Sequence, residues 1–134
     1  MPILIKNLVG ALAQVSYFVN ADGTFAVSEG ATLSFDQTWL ATATKEMVAA
    51  VMAHESWHVH QLYNGISDDF INYPRVVDIE YEAFVAGAAV WNVQKGSQVE
   101  ATLDAGSACA ASGEARCKET LASSFGYSTG PRRG

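Results

Sequence analysis

Two histidines and a glutamate near the middle of the chain have types and a spacing suited to metal chemistry. They are His54, Glu55 and His58 in the segment A-H-E-S-W-H-V-H-Q. In a helix, residues four apart lie one turn apart on one face, so both imidazoles can bind one metal ion, and the pattern is typical of zinc. Glu55 is too close along the chain to be a natural third ligand, but it can hold a metal-bound water and accept its proton. The alternative is a pair of hydrogen-bonded core histidines.

A third ligand is expected from a second helix, predicted to run from Pro74 to about Lys95. Its apolar stripe contains one charged residue, Glu80, whereas Glu82 points about 160° away. An unpaired carboxylate on an apolar face costs free energy, and a bound metal ion is one of the few groups that offset this cost. The alternative is a Glu80 that is paired with Arg75 or with a tyrosine. The stripe consists of Val76, Glu80, Ala83, Phe84, Gly87, Val90 and Trp91.

The histidines require a helix to position them, and the flanking residues predict one from Thr42 or Thr44 to about Tyr63. A threonine can cap the first turn, and Asn64-Gly65 can end the helix in a left-handed conformation. We expect the metal-binding face to be the buried face. That face also carries Met47, Val48, Val51 and Leu62, whereas Lys45, Ala49, Ser56 and His60 lie opposite. His60 is therefore expected to be a core or surface histidine.

A small β-sheet is expected before this helix. Residues 15–27 form two β-branched and aromatic runs around Asn20–Gly23, a pattern that predicts a hairpin. Ala31–Asp36 alternates apolar and polar residues and predicts a third strand beside the metal-binding helix. The apolar segment Pro2–Val9 has no clear period and fits a strand or a short helix equally well.

After the second helix the chain becomes rich in alanine, serine and glycine. We predict helices at Gln98–Ala105 and Glu114–Ser123, and a polar loop at Ser67–Asn72 between the two metal-binding helices. One domain is expected over residues 1–124, followed by a flexible tail at 125–134, which contains three glycines and a proline. Cys109 and Cys117 can form a disulfide only if Ser112-Gly113 breaks the helix, and two reduced, buried thiols are an equal alternative.

The composition and net charge limit which kinds of binding partner are expected. The chain has 134 residues, of which 49% are hydrophobic and 16% charged, with a formal net charge of −6. This balance argues against nucleic-acid binding, which needs clustered Lys and Arg.

The apolar run at residues 8–19 is interrupted and too short to span a bilayer, so we expect no membrane span. No leader pattern precedes it, which favours the cytoplasm unless a leader has been removed, whereas a disulfide would fit secretion. The oligomeric state is not predicted.

The arrangement of two histidines on one helix and Glu80 on the next, with 21 residues between His58 and Glu80, resembles the gluzincin clan of zinc metallopeptidases. The text V-A-A-V-M-A-H-E-S-W-H-V-H-Q is similar to the active-site helix of the small, minimal gluzincins, and the resemblance covers residues 31–92. It implies an α+β, zincin-like core: an N-terminal sheet made of a hairpin plus an edge strand, the active-site helix, a second helix with the third ligand, and short C-terminal helices. It also implies one Zn²⁺ per chain bound by His54, His58 and Glu80, and an endopeptidase in which Glu55 is the base.

The resemblance also implies how a substrate would bind. A peptide or protein substrate would lie as an added strand along an Ala31–Asp36 edge. The family's Glu-x-x-Ala-Asp pattern is matched at Glu80 and Ala83, but Phe84 replaces the final acid, so the hydrogen-bond support of a ligating histidine must come from elsewhere. Hydrolysis also needs a group that stabilises the oxyanion. The candidates are Tyr63, Tyr73 and Tyr81.

Two other hypotheses belong to different functional classes. One is a zincin-fold binding module with a structural zinc, or a latent module whose cleft is self-blocked. The other is a metal-free structural domain. Glu55 favours an enzyme, because a purely structural zinc site has no use for a base.

Overall fold

The computed structural model describes residues 1–66 and 76–127, which form an α+β fold. The α+β prediction is therefore confirmed at the level of fold class. None of the described helices is long and apolar enough to cross a membrane. The elements are β1 (Ile3–Lys6), β2 (Ala13–Tyr17), β3 (Ala31–Asp36), α1 (Gln37–Leu40), α2 (Lys45–Tyr63), α3 (Val76–Gln94), α4 (Ala101–Ala111) and α5 (Glu114–Ser123).

The sheet has the order β1-β3-β2, so β3 is its central strand. β3 runs parallel to β1 and antiparallel to β2, with Leu33 opposite both Ile3 and Val15. The prediction of a strand at Ala31–Asp36 is confirmed, but its expected position at an edge is wrong. The reason is that β1 pairs with β3 along the side that β2 leaves open. β1 lies within Pro2–Val9, the segment for which the sequence allowed either a strand or a short helix. A substrate strand cannot be added to β3.

The predicted hairpin at residues 15–27 is present only at its tip. The Asn20 N–H donates to the Thr24 carbonyl at 2.7 Å, and Val19 and Phe25 form a single antiparallel bridge. The second arm does not continue as a strand, because the chain turns at Ala26, whose carbonyl accepts a hydrogen bond from the Glu29 N–H at 3.0 Å. β2 pairs with β3 instead.

The bounds of α2 follow from local interactions that the sequence predicts. Thr44, not Thr42, is the N-cap, and its hydroxyl accepts a hydrogen bond from the Met47 N–H. Gly65 has the expected left-handed conformation, with φ of 74°. Val51, Glu55 and Leu62 of the metal-binding face are buried, whereas Lys45, Ser56 and His60 are exposed.

α3 packs closely against α2 through a glycine. A Cβ at Gly87 would lie 3.3 Å from both the Ala50 carbonyl oxygen and His54 Cβ. Further along α3, Trp91 is fully buried and its indole N–H donates to Asp104 at 2.9 Å. The predicted start of this helix at Pro74 and the predicted loop at Ser67–Asn72 lie outside the described residues.

α4 differs from the predicted helix at Gln98–Ala105 at both ends. It begins at Ala101 because the Glu100 carboxylate accepts a hydrogen bond from the Leu103 N–H at 2.7 Å. It continues past Ala105 because Gly106 lets α4 lie against Phe84, where an added Cβ would come within 2.8 Å of the ring. α5 has the predicted bounds.

A disulfide joins α4 to α5. Cys109 and Cys117 are bonded, with their Cα atoms 4.7 Å apart. The helix break at Gly113, where φ is 98°, brings the two cysteines together. Of the two alternatives left open by the sequence, the structure therefore contains the disulfide.

The first residues after α5 pack against α3. The Tyr127 N–H donates to the Leu121 carbonyl at 3.0 Å. The rings of Phe125 and Tyr127 lie 5.3 and 6.4 Å from the ring of Phe84. A flexible tail was expected from residue 125, but residues 125–127 pack against α3 and α5. Residues 128–134 lie outside the described part.

Candidate metal centre

The three predicted ligands meet at one point between α2 and α3. His54 Nε2 lies 3.3 Å from Glu80 Oε1, and His58 Nε2 lies 3.1 Å from Glu80 Oε2. One ligand atom from each residue falls within 4.8 Å of the others. Around a tetrahedral zinc with bonds of about 2.0–2.1 Å, neighbouring ligand atoms are about 3.3 Å apart. The group therefore fits a metal ion of this size.

The choice of Glu80 over Glu82 follows from the rotation of α3. Glu80 faces α2, whereas Glu82 is exposed. Glu82 accepts hydrogen bonds from Trp57 Nε1 at 3.1 Å and from Gln61 Nε2 at 2.9 Å. The apolar stripe thus predicted which of the two carboxylates faces the histidines.

Gln61 orients His58, a role that our sequence analysis missed. Its amide nitrogen donates to the Ile79 carbonyl at 3.1 Å, so its oxygen is the atom 2.9 Å from His58 Nδ1. That oxygen accepts a hydrogen bond from the Nδ1–H of His58, and His58 Nε2 is then directed at Glu80. Gln61 is 2% exposed, so the bond is shielded from water. Its position three residues after His58, on the same helical face, was the available signal.

Phe84 forms an apolar wall where the related pattern has an acid. Its ring meets the His54 ring edge-on, with centroids 4.7 Å apart and planes at 89°. The contact restricts the orientation of His54 by packing. Phe84 cannot support a ligating histidine by a hydrogen bond, as an acid at its position would. Gln61 supplies such a hydrogen bond to His58 instead.

Charge and burial act against each other within the cluster. Burial alone would lower the pKa of His58, but the hydrogen bond and charge of Glu80 outweigh it and raise that pKa to about 9. Burial alone would raise the pKa of Glu80, but hydrogen bonds from His54 and His58 outweigh it and lower that pKa to about 2. Without a metal, His58 therefore keeps a proton at neutral pH and forms an ion pair with Glu80.

Glu55 lies beside the cluster without joining it. Its side chain is buried, at 8% exposure for the residue. Burial raises the pKa of Glu55, partly opposed by the charges of His54 and His58. A buried carboxyl group with a raised pKa, next to a group that can hold a metal, has the environment expected of a general base.

Tyr127 enters the site from the end of the described chain. Burial raises the pKa of its hydroxyl, and the negative charges of Glu80 and Glu55 raise that pKa further. Two of the predicted tyrosine candidates, Tyr63 and Tyr81, lie elsewhere. Tyr63 is 57% exposed and packs edge-on against Phe25, and Tyr81 packs beneath Lys118. Tyr73 lies outside the described residues.

Two cavities meet at the cluster. The smaller, of ≈220 Å³, contains all three candidate ligands and Glu55 and is bordered by β2. The larger, of ≈490 Å³, reaches from His54 and Glu55 toward Trp91 and α4. Tyr127 borders both cavities. The site is thus a cleft with a polar compartment and a more apolar one.

Comparisons with protein-family models, with curated proteins and with solved structures give no match for this chain. Membership of a family is therefore not shown, and the gluzincin resemblance stays a prediction from residues 31–92. What stands independently is the geometry: His54, His58 and Glu80 form a group that could hold a metal ion.

Exchange of Glu80 or Glu82 for glutamine tests which of the two carboxylates binds the metal ion. Glu80→Gln should weaken zinc binding by a factor of ~10 or more, because an anionic ligand is lost at the centre of the cluster. Glu82→Gln, on the exposed side of the same helix, should change zinc affinity little, because the new amide oxygen can still accept the hydrogen bond from Gln61. Both variants should be titrated against a competing chelator at one fixed pH. A weaker site in Glu82→Gln with Glu80→Gln unchanged would contradict this assignment.

The metal-free protein should lose stability at alkaline pH. The His58 pKa is raised from 6.5 to about 9 on folding, so its ion pair stabilises fully below pH 6.5 and is lost as pH rises through 9. The loss should be on the order of 3 kcal/mol, as a shift of this size implies. Urea unfolding in the presence of a chelator, at several pH values from 6.5 to 9, measures it. His58→Gln should show no such decline, and a parent protein that is equally flat would refute the ion pair.

Proposed function

We propose that the protein is a zinc-dependent endopeptidase that hydrolyses peptide bonds in peptides or proteins. The observation that carries the proposal is the position of Glu55. This buried carboxyl group borders the same cavity as His54, His58 and Glu80 without being part of their cluster. A structural metal site needs ligands alone, whereas a hydrolytic site also needs a base beside them.

The donor set supports zinc. Two imidazole nitrogens and one carboxylate oxygen are the ligands of many catalytic zinc sites, and three protein ligands leave a fourth position open. Zinc bound there would polarise a carbonyl and lower the pKa of a water molecule. In the metal-free protein the buried Glu80 carboxylate is paired with protonated His58, and a bound cation would replace that proton as its partner.

Glu55 then transfers protons. It takes a proton from the attacking water and later donates it to the leaving amine. A base of this kind is most effective when its pKa approaches the working pH, and burial moves the pKa of Glu55 in that direction. The carboxyl group is held by α2, the helix that also carries both histidines, so its distance from them is fixed.

The outer side of β2, the edge strand of the sheet within the described residues, is the proposed substrate platform, in place of the expected edge at Ala31–Asp36. The Asp36 N–H donates to the Leu12 carbonyl, so even-numbered residues of β2 bond to β3. The odd residues Ala13 and Val15 then direct their backbone groups away from β3, and both also border the smaller cavity. A peptide added antiparallel or parallel to this edge would cross the cluster, and the larger cavity would take an apolar side chain.

A self-blocked, latent form is the second candidate. The observation that favours it is the packing of Phe125 and Tyr127 over Phe84 at the margin of the cleft. In that form the protein would bind zinc yet cleave nothing until the segment moved. Measurement of activity separates the two candidates.

Glu55→Gln tests the enzyme directly. The variant should keep zinc and its fold but lose at least ~100-fold in hydrolysis of an unstructured protein substrate, the usual scale for loss of a general base. Glu119→Gln, the same exchange on the exposed surface of α5, is the matched control and should retain activity. If Glu55→Gln cleaves as fast as the parent, the activity belongs to another site or to a contaminant.

A further inference from the structure

We propose that Tyr127 is a further catalytic residue, whose hydroxyl donates a hydrogen bond to the oxyanion formed at the scissile carbonyl. The inference rests on the proposed peptidase function and assigns a role that hydrolysis requires. It arises from a residue at the margin of the described chain, in a segment whose composition predicted no role.

The position of Tyr127 carries the inference. Tyr127 borders both cavities, as do His54 and Glu55. The side chains of Glu55 and Glu80 border the smaller cavity together with Tyr127, so its phenol lies beside the candidate metal ligands. An oxyanion formed in this cavity would be an acceptor for the phenol O–H, and rotation of the O–H bond can direct the donor at it without movement of the ring.

The segment that carries Tyr127 is held from several sides. Its N–H bonds to the carbonyl of Leu121, a fully buried residue of α5, and its ring stacks on Phe125 with planes at 15°. α5 is tied to α4 by the disulfide and to α3 by the contact of Lys118 with Asp78 at 2.8 Å. A donor fixed in this way needs little reorganisation when charge develops on the substrate.

The chemical step balances without a proton from Tyr127. The oxygen of water forms a bond to the carbonyl carbon, Glu55 takes one water proton, and the carbonyl π electrons move to oxygen, where Tyr127 donates its hydrogen bond. When the carbonyl re-forms, the C–N bond breaks and Glu55 returns the proton to the amine nitrogen. The products are a carboxylic acid and an amine, and Tyr127 stays a neutral phenol throughout.

Tyr127→Phe tests the role, because it keeps the ring against Phe84 and removes only the hydroxyl. We expect kcat to fall by ~10²–10³-fold, as for loss of other oxyanion donors, with KM changed less than about twofold. Calorimetric binding of a phosphinic peptide, which mimics the tetrahedral oxyanion, should weaken by a similar factor. Zinc affinity should stay within about threefold of the parent, since the hydroxyl is not proposed as a ligand. Tyr63→Phe, the same exchange at an exposed tyrosine, is the control and should leave all four quantities unchanged.

Three results would overturn the inference. Unchanged kcat and unchanged phosphinic peptide binding would show that the hydroxyl does not contact the oxyanion. Zinc affinity lowered by ~10-fold or more would make Tyr127 a ligand or a support of Glu80. Increased activity would make it part of a block. Failure of the proposed function looks different: a zinc-loaded parent would cleave nothing, and phosphinic peptide binding would still decide the contact of Tyr127.

Discussion

The close contact of α2 and α3 at Gly87 is the constraint on which the candidate centre depends. An added Cβ there would lie only 3.3 Å from His54 Cβ and from the Ala50 carbonyl. At this helix separation the carboxylate of Glu80 reaches both imidazoles, at 3.1 and 3.3 Å. Each of these groups would be costly to bury alone, and together they compensate one another, with either a shared proton or a cation at the centre.

The described part of the C-terminal third contributes to the centre, although none of those residues belongs to the group of candidate ligands. Gly106 of α4 leaves room for Phe84, and the Phe84 ring meets His54 edge-on. The disulfide joins α4 to α5, and the end of α5 carries Phe125 and Tyr127 back to the same ring. Packing at the C terminus therefore sets the wall of the cleft, so changes far from the histidines should alter the site through Phe84.

The sequence predicts best what local interactions determine. The ends of α2 follow from Thr44 and Gly65, and Glu80 follows from the periodicity of one helix. The position of β3 in the sheet depends on pairing with β1, about 30 residues earlier, which periodicity does not encode. Tyr127 was missed for a similar reason: its glycine-rich surroundings suggest a tail, and only long-range contact with Phe84 gives the segment a place.

The proposed function requires that His54, His58 and Glu80 form a metal centre and not only a buried ion pair. Native mass spectrometry of the protein incubated with zinc near pH 8, compared with His58→Ala under the same conditions, separates the two most directly. If the three residues form a metal centre, the parent should bind about one zinc per chain and the variant should retain none. A parent chain without zinc, or a variant that retains as much zinc as the parent, would contradict it.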